Sequence, residues 1–139
     1  MKSVIDLAQR IERLYVDKAF GILTRNALEI EVEEQLIPPF NVAIIDFKDV
    51  KLLNSAIGYD RVNALFKSMF ETFSYPEPVL IGRWFSGDEI ALVCKTDLDR
   101  VITEFIKHAK KYALSFRGIM FYNQSSLNEL KLDGIGDIR

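Results

Sequence analysis

Histidine and cysteine occur once each in this chain of 139 residues, and both scarcities exclude chemistry. A lone thiol, Cys94, forms no internal disulfide, and its place in an apolar run assigns it to packing. A lone imidazole, His108, lies off the apolar stripe of its segment and reads as solvent-exposed, neither a metal ligand nor a catalytic base. Long hydrophobic runs are missing too. None approaches a membrane span, and Met1, Lys2 and Ser3 are followed by Asp6, Gln9 and Arg10 in place of a signal peptide's apolar segment, so the chain reads as cytoplasmic. There is no excess of positive charge. The formal net charge of −2 excludes broad electrostatic capture of nucleic acid or an anionic membrane, and any anionic ligand must be held locally. Repeats and low-complexity stretches are also lacking. What is present, 49% hydrophobic residues with 27% charged, is the composition of a globular protein, and the length suits one domain with a sizeable core.

Apolar periodicity organises the chain. Residues Lys2 to Val16 carry Val4, Ile5, Leu7, Ala8, Ile11, Leu14 and Tyr15 at helical spacing, a stripe that packs on its own domain or on a second copy. Asp17 to Leu23 reads as irregular, and Thr24 as the N-cap of a helix to about Leu36, with a solvated acidic face and a stop at Pro38-Pro39. Val42-Ala43-Ile44-Ile45 reads as a strand covered on both faces and ending at Asp46. Asp49 to Ala56 predicts a short helix broken by Gly58. From Asp60 a longer helix follows, with Val62, Leu65, Phe66, Met69, Phe70 and Phe73 on one face. Arg83 to Val93 predicts a β-hairpin with a Ser-Gly-Asp turn, where Gly87 permits unusual backbone angles and close approach. Asp97 or Asp99 caps a helix whose face is Leu98, Val101, Ile102, Phe105, Ile106, Ala109 and Tyr112. Leu114 to Tyr122 reads as a strand with a bulge at Gly118, and the tail from Asn123 either docks a short helix or frays. The expected class is α+β, a largely antiparallel sheet with helices packed on it.

Two carboxylates stand out. Asp46 ends the first strand and Asp88 sits at the hairpin tip, so neighbouring strands would bring them to one sheet edge. One or two carboxylates with waters and substrate phosphates suit Mg²⁺, and metal-held phosphates suggest phosphoryl or nucleotidyl transfer.

Four blocks then carry a resemblance. Asp17-Lys18-Ala19-Phe20-Gly21-Ile22-Leu23-Thr24-Arg25 has the form D-x-L-T-G-L-x-N-R, and Asp46 to Tyr59 has the form D-x-D-x-F-K-x-x-N-D-x-x-G-H. Ser86-Gly87-Asp88-Glu89-Ile90 stands for G-G-D-E-F, and Ser115-Phe116-Arg117-Gly118 loosely for S-x-G. In this order and spacing they resemble the GGDEF family of diguanylate cyclases over most of the chain. The resemblance implies a palm-like (ferredoxin-like) βααββαβ domain over residues 17–139, with residues 1–16 as an N-terminal helix and candidate dimerisation element. It implies Mg²⁺ (or Mn²⁺) held by Asp46, Asp88 and the Phe47 carbonyl. Glu89 would order the metals or activate the attacking 3′-hydroxyl, Lys51 would reach the phosphates, and Asn54 and Asn63 the base. The implied activity condenses two GTP into cyclic di-GMP with a homodimer as the working unit, and Asn63, in place of a guanine-reading Asp, extends the expected substrates to ATP. The departures are specific. Lys48 replaces the second Asp of D-x-D, and Asn63 stands for an Asp that reads guanine. The R-x-x-D product-inhibition motif and the C-terminal A-D-x-A-L-Y-x-A-K segment have no counterpart. These losses define the alternative, a catalytically degenerate relative that binds a nucleotide or a regulatory protein partner.

Overall fold

The computed structural model describes residues 3–85, 87–131 and 135–138. Its elements run α1 (Val4–Tyr15), α2 (Arg25–Gln35), β1 (Phe40–Phe47), α3 (Val50–Ile57), α4 (Tyr59–Thr72), β2 (Val79–Arg83), β3 (Glu89–Cys94), α5 (Leu98–Lys110), β4 (Phe116–Gln124) and β5 (Ile135–Ile138). From β1 to β4 this is the expected βααββαβ order. The strands form one antiparallel sheet in the order β2-β3-β1-β4-β5, which puts β1 at its centre.

The two-sided burial expected of β1 has a clear cause. Ala43, Ile45 and Phe47 join the core shared with α4 and α5, while Phe40 and Val42 join the core under α2. Because side chains alternate along a strand, a run covered on both faces must be apolar throughout. β3 does the same, with Ile90, Leu92 and Cys94 on the first side and Ala91 and Val93 on the second. Burial pushes the Cys94 thiol up to about 11, which keeps it protonated and suits it to packing.

Local chemistry sets the helix starts. Thr24 accepts a hydrogen bond from the Ala27 N–H, and Asp97 accepts one from the Arg100 N–H, each satisfying a donor left orphaned in a first turn. Asp97 is thus the cap of α5, while Asp99 accepts from the Tyr122 hydroxyl. In α4, Val62, Phe66, Met69 and Phe70 are buried. Phe66 stacks on Phe20 at 4.5 Å and meets Phe47 edge-on at 4.8 Å. Each such pair contributes about 0.5–1.5 kcal/mol beyond area burial. Together they clamp the end of β1, one residue from Asp46.

Three expectations are corrected. His108 is half-buried, not exposed: its Nε2 lies 2.8 Å from the Met69 carbonyl, to which it donates, and 3.0 Å from the Thr72 hydroxyl, so it ties α5 to the last turn of α4. There is no bulge at Gly118, where the register with β1 is continuous. The shift falls between Phe40 and Val42, opposite Asn123 with its φ of 55°. The tail is neither helix nor frayed end across residues 135–138, which pair with β4 as β5. A Cβ at Gly87 would meet nothing within 4 Å among the described residues. The signature's Ser86 lies outside the described residues.

Helix α1 contains no buried residue. Its stripe faces outward, Val4 being 83% and Leu14 69% exposed. A Ser3–Asp6 capping box opens it, and a Tyr15–Glu31 hydrogen bond ties its end to α2. No helix among the described residues is long and apolar enough to cross a membrane.

Candidate functional site

The site grows from the place where β1 runs out. The Phe47 N–H donates to the Asp88 carbonyl at 3.1 Å, and the Lys48 N–H to the Ser115 carbonyl at 2.9 Å, so the hairpin tip and the start of β4 flank the strand's end. Asp49 then takes the left-handed conformation (φ 60°), which Asp tolerates better than most residues and which turns the chain into α3. Its side chain makes no capping bond.

A concavity of about 440 Å³ opens here, lined by Asp46, Phe47, Lys48, Asp49, Val50, Lys51, Asp88 and Arg117. Four of the residues singled out in the sequence, Asp46, Phe47, Lys51 and Asp88, therefore share one surface. Glu89 does not line it. It is the direct cross-strand partner of Asp46 on β3, so the two side chains project from the same sheet face, and both line a second concavity of about 650 Å³ with Trp84, Arg117, Ile119 and Phe121. Asn54, on α3, and Asn63, on α4, are half-buried and lie outside both linings. The Oδ1 of Asn54 is enclosed and lacks a hydrogen-bond partner among the described residues.

Two features escaped the sequence reading. Arg117 on β4 is the other register partner of Asp46, its Nη2 standing 3.6 Å from Asp46 Oδ2. A signal existed: an arginine in a run of apolar residues marks the end of a buried face. The second feature braces the hairpin. The Arg25 guanidinium lies 3.5 Å from the centroid of the Phe85 ring and 4.3 Å from that of Trp84. Arg83 lies 4.0 Å over Phe20 and 3.9 Å from Asp17, whose carboxylate also accepts from the Phe20 N–H. The block Asp17 to Arg25 thus holds the hairpin bearing Asp88 from behind.

The donor set fits a hard divalent cation in part. Asp46, Asp88 and the Phe47 carbonyl offer oxygen, the preferred donor of Mg²⁺, which commonly takes one or two carboxylates and completes its shell with waters and substrate phosphates. Among the described residues no group of three or more His, Cys, Asp or Glu side chains is placed to hold an ion. Three cationic side chains, Lys48, Lys51 and Arg117, stand around three carboxylates, Asp46, Asp49 and Asp88.

No protein-family model matches the chain, nor does any curated protein. Solved structures do. The S helix-GGDEF-EAL region of LapD from Vibrio cholerae, bound to c-di-GMP, is 20% identical over 89% of this chain with a TM-score of 0.68. The coiled coil and GGDEF domain of DgcB from Caulobacter crescentus, in complex with c-di-GMP, is 15% identical over 91%, with a TM-score of 0.64. The diguanylate cyclase SiaD from Pseudomonas aeruginosa, in complex with its activator SiaC, is 21% identical over 76%, with a TM-score of 0.54. The chain spans 33% of the LapD structure, 77% of that of DgcB and 44% of that of SiaD. With the element order, the central strand ending in Asp46 and the hairpin bearing Asp88, these likenesses show that the chain has the fold of a GGDEF domain.

Proposed function

We propose that this protein is a divergent GGDEF-type nucleotidyl cyclase, which condenses two nucleoside triphosphates into a cyclic dinucleotide with Mg²⁺ or Mn²⁺. The observation that carries the reading is the bond from the Phe47 N–H to the Asp88 carbonyl, which seats the hairpin carboxylate beside the strand end on a surface shared with Asp46 and Lys51. In this reading Asp46, Asp88 and the Phe47 carbonyl would hold the metal, which when bound would supply neutralisation of phosphate charge while the 3′-hydroxyl attacks the α-phosphorus and pyrophosphate leaves. Lys51 binds the phosphates, and Glu89 accepts the proton of the attacking 3′-hydroxyl or orders the metal ligands. Asn54 and Asn63 contact the base. Since an amide matches the donor-acceptor pair of adenine as an ionised Asp does not, ATP is accepted beside GTP. The experiment is incubation of the purified chain with each NTP and Mg²⁺ or Mn²⁺, followed by product analysis and by competition of ATP with GTP. Cyclic dinucleotide containing adenine is expected. A strong GTP preference that survives Asn63→Ala refutes the base assignment.

Each protomer of such an enzyme presents half a site, and the outward stripe of α1 is the surface suited to bring two together. Val4, Leu7, Ile11 and Leu14 follow the alternating three-and-four spacing of a two-helix seam. Specific activity is therefore expected to rise with protein concentration until the dimer saturates. Concentration-independent activity from a monomer contradicts this. A second reading, a domain that binds nucleotide or a regulatory protein without turnover, is favoured by the Arg117 guanidinium beside Asp46. The same assay separates the two, since that domain retains nucleotide and yields no product.

A further inference from the structure

Arg117 stands on the ridge between the two concavities and lines both. The fold puts it there: Phe116 enters the core packed against α4 and α5, so its neighbour projects from the opposite face, directly across from Asp46. We propose that Arg117 is a built-in counter-ion that competes with the divalent cation for Asp46 and, once displaced, turns to the phosphates of the incoming nucleotide. Metal and nucleotide then bind cooperatively, each poorly without the other. The inference rests on the metal-nucleotide reading given above.

Three observations carry it. The Nη2 to Oδ2 distance of 3.6 Å places a positive charge where a cation bound to Asp46 would meet it. In a water-exposed site the repulsion between a unit charge and a dication at such separations amounts to roughly tenfold in affinity. The Arg117 side chain is 73% exposed and that of Asp46 39%, so the pair adds little to the fold and is free to exchange partners. Finally, Arg117 shares the smaller concavity with Lys48 and Lys51, and a guanidinium fork binds phosphate oxygens in pairs, which a lysine ammonium does not.

The test reads binding, not turnover. Mn²⁺ affinity of the full chain is measured without nucleotide by electron paramagnetic resonance of the free ion. Affinity for an α,β-methylene NTP analogue is then measured at saturating Mn²⁺ from the fluorescence of Trp84, the chain's sole tryptophan. Arg117→Ala is expected to bind Mn²⁺ about tenfold more tightly and the analogue about tenfold more weakly. Arg117→Lys, which keeps the charge, should retain the wild-type Mn²⁺ affinity within about twofold while still losing analogue affinity. Opposite shifts in one variant are what a merely structural arginine cannot produce. Unchanged Mn²⁺ affinity in Arg117→Ala, where Asp88→Asn abolishes Mn²⁺ binding, overturns the role of Arg117 and leaves the metal site standing. Parallel weakening of both ligands also overturns it. Absence of Mn²⁺ binding from wild type and Arg117→Ala alike overturns the metal reading, and this inference with it.

Discussion

Under the proposed cyclase function, replacing Asp88 by Asn is expected to lower metal-dependent turnover by more than about a hundredfold, since loss of a proposed direct ligand should exceed the tenfold to hundredfold cost of disturbing an outer-shell partner. The amide keeps the shape of the side chain but offers one neutral oxygen in place of an anionic pair. The side chain of Asp88 is exposed at the hairpin tip, and its carbonyl, which accepts from Phe47, is untouched by the substitution. The melting temperature should therefore stay within about 2 °C of wild type, as for a surface change away from packing. Steady-state rates at saturating Mg²⁺ and Mn²⁺ with thermal unfolding of both proteins provide the check. Turnover within a factor of three of wild type would remove Asp88 from the metal site.

The largest effect on stability is expected from Gly118→Ala. A Cβ at this position would lie 2.1 Å from the Ile44 carbonyl oxygen and 3.1 Å from the Ile44 carbonyl carbon. Both are backbone atoms of the central strand, so nothing as soft as a side-chain rotation relieves the overlap. Either β1 and β4 separate or their ladder breaks, and a loss of about 3 kcal/mol or more is expected. Urea unfolding should show a lower midpoint with an unchanged slope. Gly87→Ala is the contrast: the added Cβ meets nothing within 4 Å, and the change should stay within about 0.5 kcal/mol. Equal effects from the two substitutions would show that the close approach of Gly118 to the Ile44 carbonyl is not what bars a side chain there.

These two glycines also show where a sequence stops informing. Gly87 stands in a Ser-Gly-Asp turn and Gly118 inside a strand, where spacing alone predicts a bulge. What decides the case of Gly118 is a partner far along the chain, the Ile44 carbonyl. Patterns with a local cause were legible. The caps at Thr24 and Asp97, the stripe of α4, the two-sided burial of β1 and the βααββαβ order are all written in spacing. Strand-end position likewise brought Asp46 and Asp88 to one surface. Illegible were pairings across elements: His108 on the end of α4, Asp99 with Tyr122, and Arg117 opposite Asp46. The strand in the tail is equally illegible, because it exists only by pairing with β4.

The segment that braces the hairpin has one more consequence, for what the sheet does toward other chains. β2 is an outermost strand, and a bare outer strand invites a foreign strand to add on. Leu23 occupies that position: its N–H donates to the Ile81 carbonyl at 3.3 Å, and its carbonyl accepts from the Arg83 N–H at 2.8 Å. One residue bridged in parallel fashion to Gly82 thus consumes the free donor and acceptor at the middle of β2. The block that opens the GGDEF-like region is therefore also a guard against polymerisation, and loosening it, for example by Leu23→Pro, would turn a protected sheet margin into a template for fibrils.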